Sequence, residues 1–195
     1  EHLYFLAEKE TKFIFQVENG RGPEAQRYVL TVAAWREPTH ADRFAALACA
    51  LMNEANLNAH RNSKEADQLA LRQYEQALEL WKQSGEAWGE ATTLGEMGGL
   101  TKKMGRRQAA LGHYQAELQV WRKLEAKPQT GYALGNIGSL QEDFGEWQEA
   151  LASFEAALPL VTGAGNLNEL AVFYNNLAVT HSNLGEERRA IEALQ

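Results

Sequence analysis

The chain has 195 residues and a formal net charge of −7, which disfavours nucleic acid or an anionic membrane as its main partner. Hydrophobic residues make up 45% and charged residues 23%, the balance of an ordinary soluble protein. No apolar run approaches the ~20 residues that span a bilayer, the single cysteine excludes a disulfide framework, and no Cys/His grouping has metal-ligand spacing.

Residues 1–36 show a period of two. Residues 3–7, 12–17 and 27–34 are rich in aromatic and β-branched side chains and read as three strands. Three strands bury too little apolar surface to be secure alone, so a β segment over residues 1–38 is expected to be the end of a truncated β-sandwich. With no initiator Met and no leader, Glu1 is expected to be a cut inside a longer protein, and the compartment to be cytoplasmic. Pro38 and a capping Thr39 mark the boundary between this segment and the helical part of the chain.

From Ala41 onward the period is helical. Phe44, Leu47, Ala48, Leu51 and Met52 form one stripe, and Leu69, Tyr74, Ala77, Leu78 and Trp81 form the next. Cys49 lies in the apolar stretch FAALACALM and reads as a small buried hydrophobe. A forty-residue beat then takes over. Tyr74, Tyr114 and Phe154 align, with Leu194 continuing the count; so do Ala70, Ala110, Ala150 and Ala190, then Gly98, Gly138 and Ala178, then Gly105, Gly145 and Gly185. Columns in one register mean a stacked array of identical units. Each unit divides into two helices. The first helices are predicted at 86–104, 129–144 and 168–184, the second at 107–124, 146–161 and from 186 to the end. The glycines at 105, 145 and 185 are placed to end a helix in the left-handed conformation, and Pro128 to begin one. The helix pairs expected are about 41–83, 86–124, 128–163 and 166–195.

The order of Ile137–Gly138, Gly145, Ala150, Phe154 and Ala157 resembles the tetratricopeptide repeat, with its small residue, glycine turn, alanine and aromatic at fixed distances. The first copy matches through Gly98, Gly105, Ala110 and Tyr114, but Glu117 stands where the final alanine belongs. The resemblance covers about residues 41–195 and implies a mainly α fold, a right-handed α-solenoid of helix pairs behind the small β segment. The forty-residue form, with LGNIG from Leu134 and YNNLA from Tyr174, is similar to the repeats of kinesin light chains and of bacterial multidomain proteins, some of which end in a caspase-like CHAT peptidase. The function so implied is protein–protein interaction. The partner would be a peptide, a protein or another domain of the same polypeptide, and the alternative is a regulatory region for a CHAT-type peptidase outside this chain. The chain stops within an apolar helix pattern, whose exposed face is expected to support a homodimer.

In such an array the first helix of each pair lines the concave side. The candidates there are Lys103 from the first unit, Tyr132, Asn136 and Ser139 from the second, and Asn175, Asn176 and Asn183 from the third. Related repeats place Asn at the positions of Asn136 and Asn176, where an amide can pair with both N–H and C=O of an extended peptide. The other reading of these two is that they bridge neighbouring helices. Glu96 departs from the Asn pattern, so the first unit is expected to take no part. The five histidines lie in unrelated positions with no nucleophile beside them, and the glycines keep a forty-residue beat instead of forming a phosphate loop. Neither an enzyme activity nor a cofactor is expected.

Overall fold

The structure, a computed structural model, describes residues 38–163 and 167–193. The β segment expected over residues 1–36 and the column position Leu194 lie outside the described residues; the final helix is described to residue 193, with Ile191 exposed on it.

Eight helices run through the described residues: α1 (His40–Ala59), α2 (Lys64–Ser84), α3 (Ala87–Lys103), α4 (Arg107–Lys123), α5 (Lys127–Phe144), α6 (Trp147–Thr162), α7 (Leu167–Asn183) and α8 (Glu187–Glu192). Thr39 caps α1 through a reciprocal box, its hydroxyl accepting from the Asp42 N–H at 3.2 Å while its own N–H donates to the Asp42 carboxylate at 2.7 Å. Pro128 sits in the first turn of α5, where no intrahelical donor is lost.

Consecutive helices pack as antiparallel pairs, α1 on α2, α3 on α4 and α5 on α6, and each pair stacks on the next through α2–α3, α4–α5 and α6–α7. The forty-residue columns are the packing. Tyr74, Tyr114 and Phe154 are buried at 1%, 5% and 0% exposure, and Ala70, Ala110 and Ala150 are fully buried beside them. The small column explains how the rings fit. A Cβ on Gly98 would lie 2.4 Å from the Tyr114 ring, and one on Gly138 would lie 2.8 Å from the Phe154 ring. Helices of a pair approach this closely only because those positions carry no side chain. Cys49 packs half-buried against the Ala45, Ala48, Ala77 and Trp81 cluster, a little more open than the buried position expected of it.

Three of the turns are one motif repeated. The Gly105 N–H donates to the Lys102 carbonyl and the Arg106 N–H to Thr101, with the same pair of bonds at Gly145/Glu146 and Gly185/Glu186. All three glycines have φ between +76° and +78°. The end of α4 uses the same two bonds, but the left-handed residue is Glu125, at φ +54°. Gly85, forty residues earlier, fills that position at φ +77°. A side chain in the left-handed region costs about 1–2 kcal/mol, partly offset by the greater unfolded freedom of glycine. Glu125→Gly is therefore expected to stabilise the protein by about 0.5–1 kcal/mol, seen as a small rise in Tm; an unchanged or lower Tm would contradict this.

Polar links join the stacked pairs. Lys103 bonds the Asp67 carboxylate at 2.8 Å and the Ala59 carbonyl at 2.7 Å. Lys102 donates to Ser139 at 2.7 Å and pairs with Asp143 at 3.2 Å. The Thr180 hydroxyl donates to Glu142 at 2.7 Å. No helix among the described residues is long and apolar enough to cross a membrane.

Candidate functional site

The first helices α3, α5 and α7 share one side of the array, and two adjoining depressions run along it. One, of about 260 Å³, lies between α3, α4 and α5 and is lined by Thr92, Gly95, Glu96, Glu117, Trp121, Gln129, Tyr132 and Asn136. The other, of about 430 Å³, lies between α5 and α7 and is lined by Tyr132, Gly135, Asn136, Ser139, Val172, Phe173 and Asn176. Tyr132 and Asn136 belong to both, so the two adjoin and together make up the groove on this side.

Small residues hollow the groove out. Gly95 and Gly135 stand forty residues apart on α3 and α5, and each makes room for a larger neighbour. A Cβ on Gly135 would meet the Phe173 ring at 2.7 Å, and one on Gly95 would meet the Glu117 carboxyl at 2.8 Å. Tyr132 lies against Phe173 with ring centroids 6.4 Å apart.

The candidates read from the sequence divide sharply. Asn136 is exposed and Asn176 half-buried, and neither side-chain amide makes a hydrogen bond to another described residue. They do not bridge helices within the described array, and both residues line the groove. Ser139 is also on the groove wall, with its oxygen accepting from Lys102. Asn175 is exposed on α7, outside the lining of either depression. Lys103 does not serve the groove: Asp67 and Ala59 hold its ammonium between the first two pairs. The Asn183 amide is likewise spent, donating to the Val179 carbonyl of its own helix at 2.9 Å. Glu96, from the first unit, lines the same depression as Asn136.

Glu117, Trp121, Gln129 and Phe173 also line these depressions and were not among the groove candidates read from the sequence. Glu117 is the most unusual. It is only 7% exposed, its Oε1 accepts from the Trp121 indole N–H at 3.0 Å, and its Oε2 is buried with no hydrogen-bond partner. Burial pushes its pKa up to about 7; the Trp121 hydrogen bond opposes this, and the nearby Glu96 carboxylate adds to it. Glu96 is exposed at the rim, but lost hydration on its shielded side raises its own pKa, with His60 acting in the opposite direction. Burial, then Glu117, then Glu96 push the Tyr114 phenol up to about 12. Trp121 is both a core residue and part of this wall, and half-exposed Trp88 meets it edge-on with centroids 4.7 Å apart. Among the described residues, no group of three or more His, Cys, Asp or Glu side chains could hold a metal ion.

Comparison with known proteins agrees with this geometry. Residues 89–163 match the tetratricopeptide repeat family. No curated protein matches the sequence. Among solved structures, the chain is similar to BtubC (BKLC) from P. vanneervenii, at 17% identity and a TM-score of 0.70 over 83% of this chain and 64% of that one. It is similar to aspartyl phosphate phosphatase F from Bacillus subtilis, at 15% identity and a TM-score of 0.70 over 80% of this chain and 39% of that one. A putative kinesin light chain with nearly identical TPR-like repeats from Podosopora anserina gives 15% identity and a TM-score of 0.63 over 75% and 72%. The chain thus spans under two thirds of the length of the first two, and at these identities the likeness is one of fold. Residues 89–163, spanning most of α3 to α6 with their glycine turns, are thus the part of the chain that matches the tetratricopeptide repeat family, and the pairs on either side continue the same stacked design.

Proposed function

We propose that this chain is a protein-interaction module that holds an extended peptide or protein segment along the groove of α3, α5 and α7. Asn136 and Asn176 carry the reading: they stand forty residues apart on successive groove helices, and their amides are not engaged by any described residue. An amide offers a donor and an acceptor side by side, the complement of one residue of extended backbone. Tyr132 and Phe173 lie between them as an apolar floor, and Ser139 adds a hydroxyl at the edge.

The test is a random dodecapeptide library selected on the purified chain. Affinity of a selected peptide is then compared between the parent and Asn136→Ala, Asn176→Ala and the double variant. Each lost amide contact is worth about 1 kcal/mol, so each single change should weaken binding about fivefold and the pair more than twentyfold. Peptides that bind equally well to the double variant would refute the groove. The thermal stability of both variants should stay close to that of the parent, since neither amide supports a neighbouring described helix.

A further inference from the structure

Glu117 occupies a position where the other units do with alanine. Ala77 and Ala157, forty residues before and after it, are both fully buried. Packing at this place in the array therefore asks only for a methyl group. The chain instead buries a carboxyl there, leaves one of its oxygens unpaired and removes the side chain of Gly95 to make room. An unpaired buried polar atom costs about 1–3 kcal/mol, and more when it is charged. Such a residue at the wall of a groove is explained by a bound group that completes it.

The surroundings say what that group is. A second carboxylate, Glu96, stands at the rim; Trp121 and Tyr132 supply aromatic surface; Gln129 and Asn136 supply neutral amides; no Lys or Arg lines this depression. Two acids with no cation between them attract positive charge, and aromatic walls favour a flat, weakly hydrated cation over a compact one. The last torsion of a glutamate is soft, so its carboxyl can turn toward an incoming donor without disturbing the helix. The depression, at about 260 Å³, is sized for one side chain and not for a second length of backbone.

We propose that the depression between α3, α4 and α5 is a pocket for one arginine side chain of the bound segment, its guanidinium held by Glu117 with Glu96 at the rim and stacked against the Trp121 and Tyr132 surface. The pocket rests on the groove reading for the source of the arginine. Binding by the charged carboxylate also makes the interaction sensitive to pH. The titratable groups acting on or with Glu117 are Glu96 on α3 and Tyr114 on its own helix α4, Tyr132 on α5 lines the same depression, and His60 at the end of α1 acts on Glu96. The Tyr114 phenol, pushed up to about 12, stays neutral through the physiological range, so the two glutamates set the response. A guanidinium favours the ionised form of Glu117, binding releases a proton, and affinity rises with pH.

The test titrates Nα-acetyl-arginine amide into the ¹⁵N-labelled chain and follows the Trp121 indole N–H and the Gly95 amide by NMR. Nα-acetyl-citrulline amide, of the same shape without the charge, is the control. Saturable shifts with the arginine compound are expected, about tenfold tighter at pH 8 than at pH 6 for a group titrating near 7, with no comparable shift from citrulline. Glu117→Gln keeps the shape and an acceptor for Trp121. It should weaken binding at least tenfold and remove most of the pH response, while the rest of the spectrum shows the fold intact. Equal shifts with citrulline, no saturable shift, or unchanged binding by Glu117→Gln would each overturn the pocket. Library peptides that need Asn136 and Asn176 but show no preference for arginine would overturn the pocket and leave the groove standing. Arginine amide that binds through Glu117, beside library peptides indifferent to both asparagines, would do the reverse.

Discussion

Phe154→Ala is expected to lower stability by about 3–5 kcal/mol, because a fully buried ring is removed and the neighbouring helices close over the space only in part. The more informative result comes from pairing it with Gly138→Ala. In the parent, a methyl group at position 138 would lie 2.8 Å from the Phe154 ring, which forces the ring or the α5–α6 contact to move and costs about 1–3 kcal/mol. In the Phe154→Ala background that obstacle is gone. Alanine is then preferred to glycine inside a helix by ~0.5–1 kcal/mol, so the same substitution should change sign and stabilise. A double-mutant cycle by urea denaturation measures the coupling directly. Additive effects would show that the glycine column is not there to admit the aromatic column. The Gly98–Tyr114 pair, with a corresponding distance of 2.4 Å, should behave in the same way.

That coupling explains why so much of the fold could be read from spacing. A repeat array makes each unit bury its face on its neighbours, so aromatic, alanine and glycine positions recur at the same interval and announce their packing. Helix ends were legible for a similar reason, since the left-handed glycines at 105, 145 and 185 each close a helix with the same two backbone bonds. The groove was legible only as a list of positions one turn apart. Which of them are available depends on contacts between units: Lys103 faces the expected side but is claimed by Asp67, 36 residues away on the preceding pair, and no periodicity shows that. Asn183 is lost to its own backbone for the reason asparagines often are, a short side chain within reach of a carbonyl one turn back. Glu117 was visible as a break in the alanine column. What the break meant required the structure, which sets it opposite Gly95, bonds it to Trp121 and leaves one oxygen unpaired. A charged residue in an otherwise alanine column, facing a glycine, is the signal that could have found it.

Glu117→Ala is expected to stabilise the protein at pH 8 and to change it little at pH 5. The native carboxyl titrates near 7 where an unhindered one titrates near 4.5. Between those values the folded chain holds a proton that the unfolded chain has released. Stability contributed by this group therefore falls as pH rises from about 4.5 to about 7, and is flat above that. At about 1.4 kcal/mol per pH unit, the parent should lose about 2–3 kcal/mol relative to the variant between pH 5 and pH 8. For a chain of this length that corresponds to ~5–10 °C in the difference between the two Tm values. At pH 5 the neutral carboxyl still accepts from Trp121, a bond worth about 1 kcal/mol, so the variant should there be equal to or slightly below the parent. Thermal melts of both proteins across this range decide the matter. A difference independent of pH would mean that Glu117 is ionised and compensated in the folded protein, and would remove the reason for a cation beside it. If the difference grows as predicted, the same residue that weakens the empty array is the one that an arginine side chain would satisfy. Saturating the parent with Nα-acetyl-arginine amide at pH 8 should then raise its Tm, while Glu117→Ala, already relieved of the charge, should gain nothing.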